Sequence, residues 1–502
     1  MAKQTHFGTV PIRPNRNISL SYGIFRTVRV MMRHLGLSRF LSGIKSRGVP
    51  LDYIVEAMCM YQLLEDSSMN ACAEWLSNKD VADVLFGGTK ISQKTIDRSL
   101  SYLDEYFDDI LECIWKGINS VFELSNTDVV VDGSHIPMYG SKSRLSGYGH
   151  GGNGVQNQIQ FVVSQFRCSP RLPFHIYSYR GNESDNRQYE HFLPRIIRHL
   201  QMGSLIVIDN GGATADLLDM IVMNRMNYLT RVKMNTSDDR SISENGYDFQ
   251  CINSDVCCLT KSFRSSGRTT YVFFSAEKYR RSLETASRKA MKCAKIVGDT
   301  DFGPGSKPRK SDYVTVKKNP YVDVDIRITV QKILEPFVID DDERAVEDLM
   351  GDRCGYFKLE CSYPMEAADA LSIYRSRVLI EHLISSIKSV VNLKPLRVWN
   401  ESSVNGSLLL ALIAQLVISM TMEMLPGHEE TLEILGKMER RTVKPSSKKI
   451  VESLSHLTVT YLFDEKGHRS EHFSNFDDLN SQIMDILNDI EASESIENML
   501  KR

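Results

Sequence analysis

The chain lacks any substantial excess of charge: 61 Lys and Arg face 63 Asp and Glu, a net charge of -2. That excludes a global electrostatic pull toward nucleic acid or membrane and leaves room only for a local basic surface. Cysteines at ligand spacing are also missing. The ten cysteines are scattered, Cys257 and Cys258 are adjacent, and no Cys-x-x-Cys pair occurs, so neither a zinc site nor a disulfide framework is signalled. Reduced, partly buried thiols in a cytosolic protein are expected. The segment MAKQTHFGTVPIRPNRN has no apolar core of signal-peptide type, and no internal repeat or long low-complexity segment is evident. Long apolar runs are nearly absent as well. The best covers residues 407–425, but Gln415 and Glu423 interrupt it. The unbroken run falls short of the roughly 18 residues that argue for a membrane span, so a buried core helix is expected there, and no membrane partner.

What remains is an ordinary globular composition, 42 % apolar and 25 % charged over 502 residues. It suffices for a large core and for roughly two to four domains. LDYIVEAMCMYQLLEDSSMNACAEWLSNKDVADVLF repeats apolar residues at three- and four-residue spacing, the helical period. After Gly87 and Gly88, Ser92 is placed to cap a short helix through Leu103 that carries Lys94 and Arg98. Helix, turn and basic second helix resemble a DNA-reading helix-turn-helix; an ordinary helical hairpin with a solvated basic face has the same pattern. Residues 1–124 are expected to form a helical, DNA-binding N-terminal domain.

From Asn126 the period changes. TDVVVDGSHIPMYG, NQIQFVVSQF and LPFHIYSYRG read as strands and DNRQYEHFLPRIIRHLQM as an amphipathic helix. GSLIVIDNGG then reads as a buried strand, ATADLLDMIVMNRM as a helix and NYLTRVKMN as a strand. This order implies an α/β domain built on a mixed sheet with flanking helices, over residues 125–235 and resumed at 354–425. Residues 236–353 read as a mostly β insertion domain containing the Gly-, Pro- and Lys-rich loop FGPGSKPRKSDYVTVKKNP. Residues 426–502 read as a helical, charged tail.

Three carboxylates stand out. Asp132 and Asp209 each follow an unbroken apolar strand, and open α/β sheets bind ligands at the carboxyl ends of their strands. Aspartate before Gly or Asn is also a common turn former, so neither decides alone. Glu381 is the third. In the helical segment YRSRVLIEHLISSIK, residues 374–388, Tyr374, Arg377 and Lys388 lie at about +20°, -40° and -20° from Glu381. Val378, Leu379, Leu383, Ile384 and Ile387 flank this narrow polar stripe. A helix packed around most of its circumference, with one charged strip in a cleft, fits that pattern. A solvated Arg–Glu pair four residues apart, worth roughly 0.2–0.5 kcal/mol, fits it too. Two strand-end aspartates plus a helix glutamate are what two-metal nucleotidyl transfer needs. There, Mg²⁺ ions about 3.5–4 Å apart, held by oxygen ligands, clamp the attacking and leaving oxygens. Arg377 and Lys388, on the same strip, would then hold the DNA backbone.

The spacing of Tyr374, Arg377, Glu381 and Lys388 matches the Tyr-(2)-Arg-(3)-Glu-(6)-Lys signature of insertion-sequence DDE transposases of the IS4-like group. VVVDGSHI and LIVIDNGGATADLLDMI are similar to the segments carrying the two aspartates in that family. YRGNESD resembles a Gly-Asn-x-x-Asp stretch that some members have between them. The resemblance runs from about residue 51 to residue 425. It implies a ribonuclease-H-like core interrupted by an all-β insertion, with Asp132, Asp209 and Glu381 as catalytic ligands of two Mg²⁺ ions that Mn²⁺ would replace. It also implies cut-and-paste transposition. Water is activated to nick the element end, and the freed 3′-hydroxyl attacks the other strand and later the target.

The implied partners are double-stranded DNA, as terminal inverted repeats and as target, and a second copy in a synaptic homodimer. The implied location is the cytoplasm, at the nucleoid. DNA contacts are expected from Tyr374, Arg377 and Lys388, from Lys94 and Arg98, and from Lys307, Arg309, Lys310, Lys317 and Lys318 in the basic loop. Trp399 is a further candidate, its indole stacking on an unpaired base; a solvated loop and a core tryptophan are the plainer alternatives. A non-catalytic or domesticated DNA-binding relative and a host nuclease of the same fold are the competing functions. The complete set of Asp132, Asp209, Tyr374, Arg377, Glu381 and Lys388 favours the enzyme.

Overall fold

A computed structural model describes residues 5–7, 10–12, 18–45, 47–65, 68–78, 81, 89, 91–139, 143–151, 154–244, 248–262, 267–282, 284–285, 353–398, 400–434, 437–463 and 469–500. They fall into two units, one of residues 1–230, 372–432 and 438–502 and one of residues 231–371 with 433–437. The chain is a mixed α/β protein with a mixed sheet and flanking helices.

The first unit is organised by two short apolar strands. Val129–Pro137 opens with three buried valines and Leu205–Ile208 is buried throughout, as strands of a parallel pair covered on both faces should be. They pair in parallel with Val129 opposite Ile206 and Val130 opposite Val207. Asp128 pins that register. Its carboxylate accepts from the Leu205 backbone N–H at 2.8 Å and from Arg167 at 2.8 Å. Gly154–Phe166 runs antiparallel on the other side of Val129–Pro137, and Pro173–Arg180 and Gly147–Gly151 both pair with it. Asn227–Val232 adds a parallel strand beyond Leu205–Ile208. The strands and helices read from residues 126–232 form, each with the burial period of its element, with one correction: Asp132 does not end its strand, which runs on to Pro137 because Gly133–Pro137 keep pairing with Gly154–Phe166.

The apolar stretch at residues 407–425 belongs to the helix Glu401–Met424. It is long and apolar enough to cross a membrane, yet 94 % of its most apolar window is buried inside the protein. A helix hydrophobic on every side needs packing on every side. Here Leu51–Leu64, Gln93–Glu105 and the strand Pro173–Arg180 supply it. At Gly406 the approach is so close that a Cβ would collide with the Leu100 carbonyl oxygen of Gln93–Glu105.

Residues 426–502 correct the all-helical reading. They contain the strands His428–Ile434, Lys437–Val443, Thr458–Phe463 and Arg469–Ser474 besides two helices. Thr458–Phe463 sits between Arg469–Ser474 and the N-terminal strand Ile18–Ser21. Arg26 meets Glu491 at 2.8 Å, so the tail packs on the first helix.

In the second unit the strands Gln250–Cys251, Val256–Ser262, Thr269–Ser275 and Tyr356–Cys361 form an antiparallel run. Tyr356–Cys361, which sequence pattern groups with the resumed α/β region, pairs here with Thr269–Ser275 and stacks Phe357 on Phe273 at 5.0 Å. Lys358 is buried and bonds Asp238 at 3.0 Å. The basic loop with Lys307, Arg309, Lys310, Lys317 and Lys318, and Trp399 of the first unit, lie outside the described residues.

The close crossing at Gly406 gives an expected outcome. Gly406→Ala overpacks the contact with Leu100 and lowers unfolding free energy by about 1–3 kcal/mol. Gly43→Ala, where a Cβ meets nothing within 4 Å, is neutral or slightly stabilising in its helix. Urea unfolding of the two variants checks the contrast.

Candidate active site

The parallel register carries both aspartates to one edge. Continuing it by two residues sets Asp132 beside Asp209. The backbone turns after Asp209, into Asn210–Gly212, whereas the strand of Asp132 runs on to Pro137. Asp132 accepts the Gly133 N–H at 2.9 Å and Asp209 accepts the Asn210 N–H at 2.7 Å, so one oxygen of each carboxylate is fixed by the backbone of the next residue. The turn reading applies to Asp209, which caps a short 3-10 turn over Asn210–Gly212, and not to Asp132, which stays in its strand.

Arg377 joins the pair. Its Nη2 donates to Asp132 Oδ2 at 3.0 Å, and its Nη1 lies 3.0 Å from Asp209 Oδ1. Nη1 also donates to the Tyr374 hydroxyl at 3.1 Å, which in turn donates to Asp209 Oδ1 at 3.0 Å. Arg377 and Asp132 are largely withdrawn from water, 11 % and 17 % exposed at the side chain, whereas Asp209 is open to it at 44 %. Burial raises the Asp132 carboxyl above its ordinary range, against the pull of Arg377. Burial also works against the guanidinium charge, but Asp132 and Asp209 outweigh it and Arg377 holds its proton more firmly than usual. Burial, then Asp209, pushes the Tyr374 hydroxyl up to about 12. Buried Nε of Arg377 has no partner among the described residues.

The segment read as one helix over residues 374–388 is two, Ala367–Arg375 and Val378–Ser389. Between them Ser376, Arg377 and Leu379 bond to carbonyls three residues back, a tighter winding than α. Arg377 thereby becomes the N-cap of the second helix, and Tyr374 ends up on the first with its hydroxyl still at Asp209. Val378–Ser389 packs on Val129–Pro137. Both ends of its polar strip reach that strand, Arg377 at Asp132 and Lys388 at Ser134 Oγ, 2.7 Å away. Glu381 lies between them on the same strip and is exposed. Among the described residues, no group of three or more His, Cys, Asp or Glu is arranged to hold a metal ion. Asp132 and Asp209 are brought together on Arg377; Glu381 is not grouped with them among the described residues, which corrects the expected three-carboxylate cluster.

A fourth carboxylate, Asp185, was not singled out from sequence. It opens the helix Asp185–Ile197, and burial, then the charge of Asp209, raises its carboxyl above the ordinary range. Gly211 and Gly212 allow the approach, since a Cβ on the first would strike Asp185 and on the second the Tyr189 ring. The available signal was the Gly-Asn-x-x-Asp stretch, of which Asp185 is the last residue. Lys94 and Arg98 are exposed on Gln93–Glu105, whose N-cap is Ser92, accepting from the Thr95 N–H at 3.3 Å.

Lys388 makes the site's energetics testable. Burial, then Lys394, lowers its ammonium to about 8. Between that value and its ordinary one near 10.5, the unfolded chain binds more protons, so stability rises with pH across the window. Below it the full cost of a buried charge is present. Lys388→Met is expected to raise the thermal midpoint at pH 7 by a few degrees, an advantage that shrinks from pH 8 to pH 10.5. Thermal unfolding of both proteins across that range checks the sign.

Residues 124–417, more than half of the chain, match the Transposase DDE domain family. No curated protein matches. Among solved structures, a cryo-EM structure of a piggyBac transposase synaptic complex with hairpin DNA is similar at 10 % identity and a TM-score of 0.37, over 89 % of this chain and 81 % of that one. A likeness that faint adds no argument to the family match. The matched span contains Asp132, Asp209, Tyr374, Arg377, Glu381 and Lys388, and the chain belongs to the Transposase DDE domain family.

Proposed function

We propose that this transposase cuts and joins DNA at the ends of an insertion sequence by a two-metal mechanism. In this reading it is an IS4-like member marked by the Tyr374, Arg377, Glu381 and Lys388 signature on a ribonuclease-H-like core. The observation that carries it is the Arg377 bridge between the carboxylates of Asp132 and Asp209 on adjacent strands, with Glu381 one helical turn further on. The donor set fits Mg²⁺ or Mn²⁺. Hard carboxylate oxygens of Asp132 and Asp209 converge on one cation, the guanidinium, and Glu381, not grouped with them among the described residues, would supply the third carboxylate on metal binding. When bound, the ions would stabilise charge on the attacking and leaving oxygens of an in-line displacement at phosphorus.

The chain's own groups then have separate tasks. Asp132, Asp209 and Glu381 hold the negative charge that defines the site. Arg377, with an unpartnered Nε, and Lys388 bind phosphate oxygens flanking the scissile bond, and Tyr374 donates to one. Lys94 and Arg98 contact the element's inverted repeats, with bases giving preference and phosphates giving register. Two copies would pair the two ends, in the cytoplasm at the nucleoid.

The test is strand cleavage of an end-containing duplex with Mg²⁺. Asp132→Ala, Asp209→Ala and Glu381→Gln are each expected to slow nicking by on the order of 10³-fold, a few kcal/mol of lost charge stabilisation. Affinity for the same duplex changes little, because phosphate contacts elsewhere supply most of it. A second arm reads binding alone: Mg²⁺ raises the thermal midpoint of the wild type and raises that of Glu381→Gln less. Equal shifts in the two proteins would remove Glu381 from the ligand set.

A further inference from the structure

Two cysteines of the second unit face each other across a hairpin. Cys251 on Gln250–Cys251 is the register partner of Cys257 on Val256–Ser262. The Ile252 N–H bonds the Val256 carbonyl at 2.8 Å, which makes 251/257 the next, non-hydrogen-bonded position. In an antiparallel pair the Cα atoms there lie about 4.5 Å apart with side chains closest, inside the span of roughly 4.4–6.8 Å that a disulfide bridges. The two sulfurs are 2.9 Å apart. Cys251 is exposed and Cys257 half-buried. The adjacent Cys258 is buried, and its side chain leaves the opposite face of the strand.

The turn between them is already fixed. Asn253 Oδ1 accepts from the N–H groups of Asp255 and Val256, both at 2.8 Å. The Asp255 carboxylate accepts from Ser275 Oγ at 2.9 Å and from the Glu277 N–H at 2.6 Å. Little chain freedom is left to lose on closure, so the second sulfur meets the first at high effective concentration.

We infer that Cys251 and Cys257 are a redox modification site, a dithiol that small disulfide oxidants convert reversibly to an intramolecular disulfide. Cys251, the exposed sulfur, attacks as thiolate on a disulfide of the glutathione class. One glutathione thiolate leaves and takes up a proton. Cys257, deprotonated in turn, attacks the Cys251 sulfur of the mixed disulfide, and the second glutathione leaves as thiolate. Two protein thiols are oxidised, one disulfide is reduced to two thiols, and excess thiol reverses both steps. The bond ties the edge strand Gln250–Cys251 to its neighbour. This inference is independent of the DNA chemistry proposed above.

The experiment exposes the folded, full-length protein to oxidised glutathione and counts thiols. A loss of two is expected, with a mass lower by about 2 Da and no retained glutathione. Proteolysis before aspartate cuts between Ser254 and Asp255. The two cysteine-bearing fragments then remain joined until reductant is added. Cys251→Ser and Cys257→Ser each abolish the link and leave a glutathione adduct on the remaining thiol, whereas Cys258→Ala keeps it. An unchanged thiol count, a wild-type protein that stops at the adduct, or a link through any other cysteine overturns the inference. Tandem mass spectrometry of the joined wild-type fragments assigns the bond to Cys257 rather than to Cys258 or Cys293 on the same fragment and needs no variant, so misfolding of one cannot rescue the inference.

Discussion

The pairing of Val129–Val130 with Ile206–Val207 is the constraint on which the rest of the site depends. Asp132 and Asp209 come level only if the two parallel strands start in register, and Asp128 aligns them by accepting from the Leu205 N–H and from Arg167. A slip of one residue would turn alternate side chains to the opposite face and send Asp132 away from Asp209. The buried valines and isoleucines resist that slip, because it would also expose part of the core. Position of the carboxylates is thus inherited from packing several residues away, in a part of the sheet with no chemistry of its own.

Setting two carboxylates side by side in a partly dry cleft is unfavourable unless something offsets their charge. Arg377 does so, and the tight junction at Ser376–Arg377 delivers it. The same junction keeps the Tyr374 hydroxyl on Asp209. Lys388, at the far end of the strip, is held on Ser134 at a cost to its own protonation. Asp185 adds a further carboxylate behind Asp209, admitted by two glycines.

The second unit follows a different logic. Its described strands are antiparallel, and what they bring together is decided across the ladder. Phe357 stacks on Phe273, Lys358 finds Asp238, and Cys251 finds Cys257. None of these pairs is a spacing motif, because each partner is set by strand register and by the length of the intervening turn.

By itself the sequence determined the periodicities and their interruptions. Three buried valines before Asp132, four apolar residues before Asp209, the all-round apolar helix at Glu401–Met424 and the Ser92 cap were all legible. Spacing along one element controls which face it buries. The stripe of Arg377, Glu381 and Lys388 was legible for the same reason. Tertiary structure alone decided the partners. It broke the helix at Ser376–Arg377, put the guanidinium between the aspartates, drew Asp185 in beside Asp209, and paired the tail strand Thr458–Phe463 with Ile18–Ser21 at the other end of the chain. Such meetings depend on which free edges and faces remain once everything else has been buried, a property of the whole fold that no local window of residues contains.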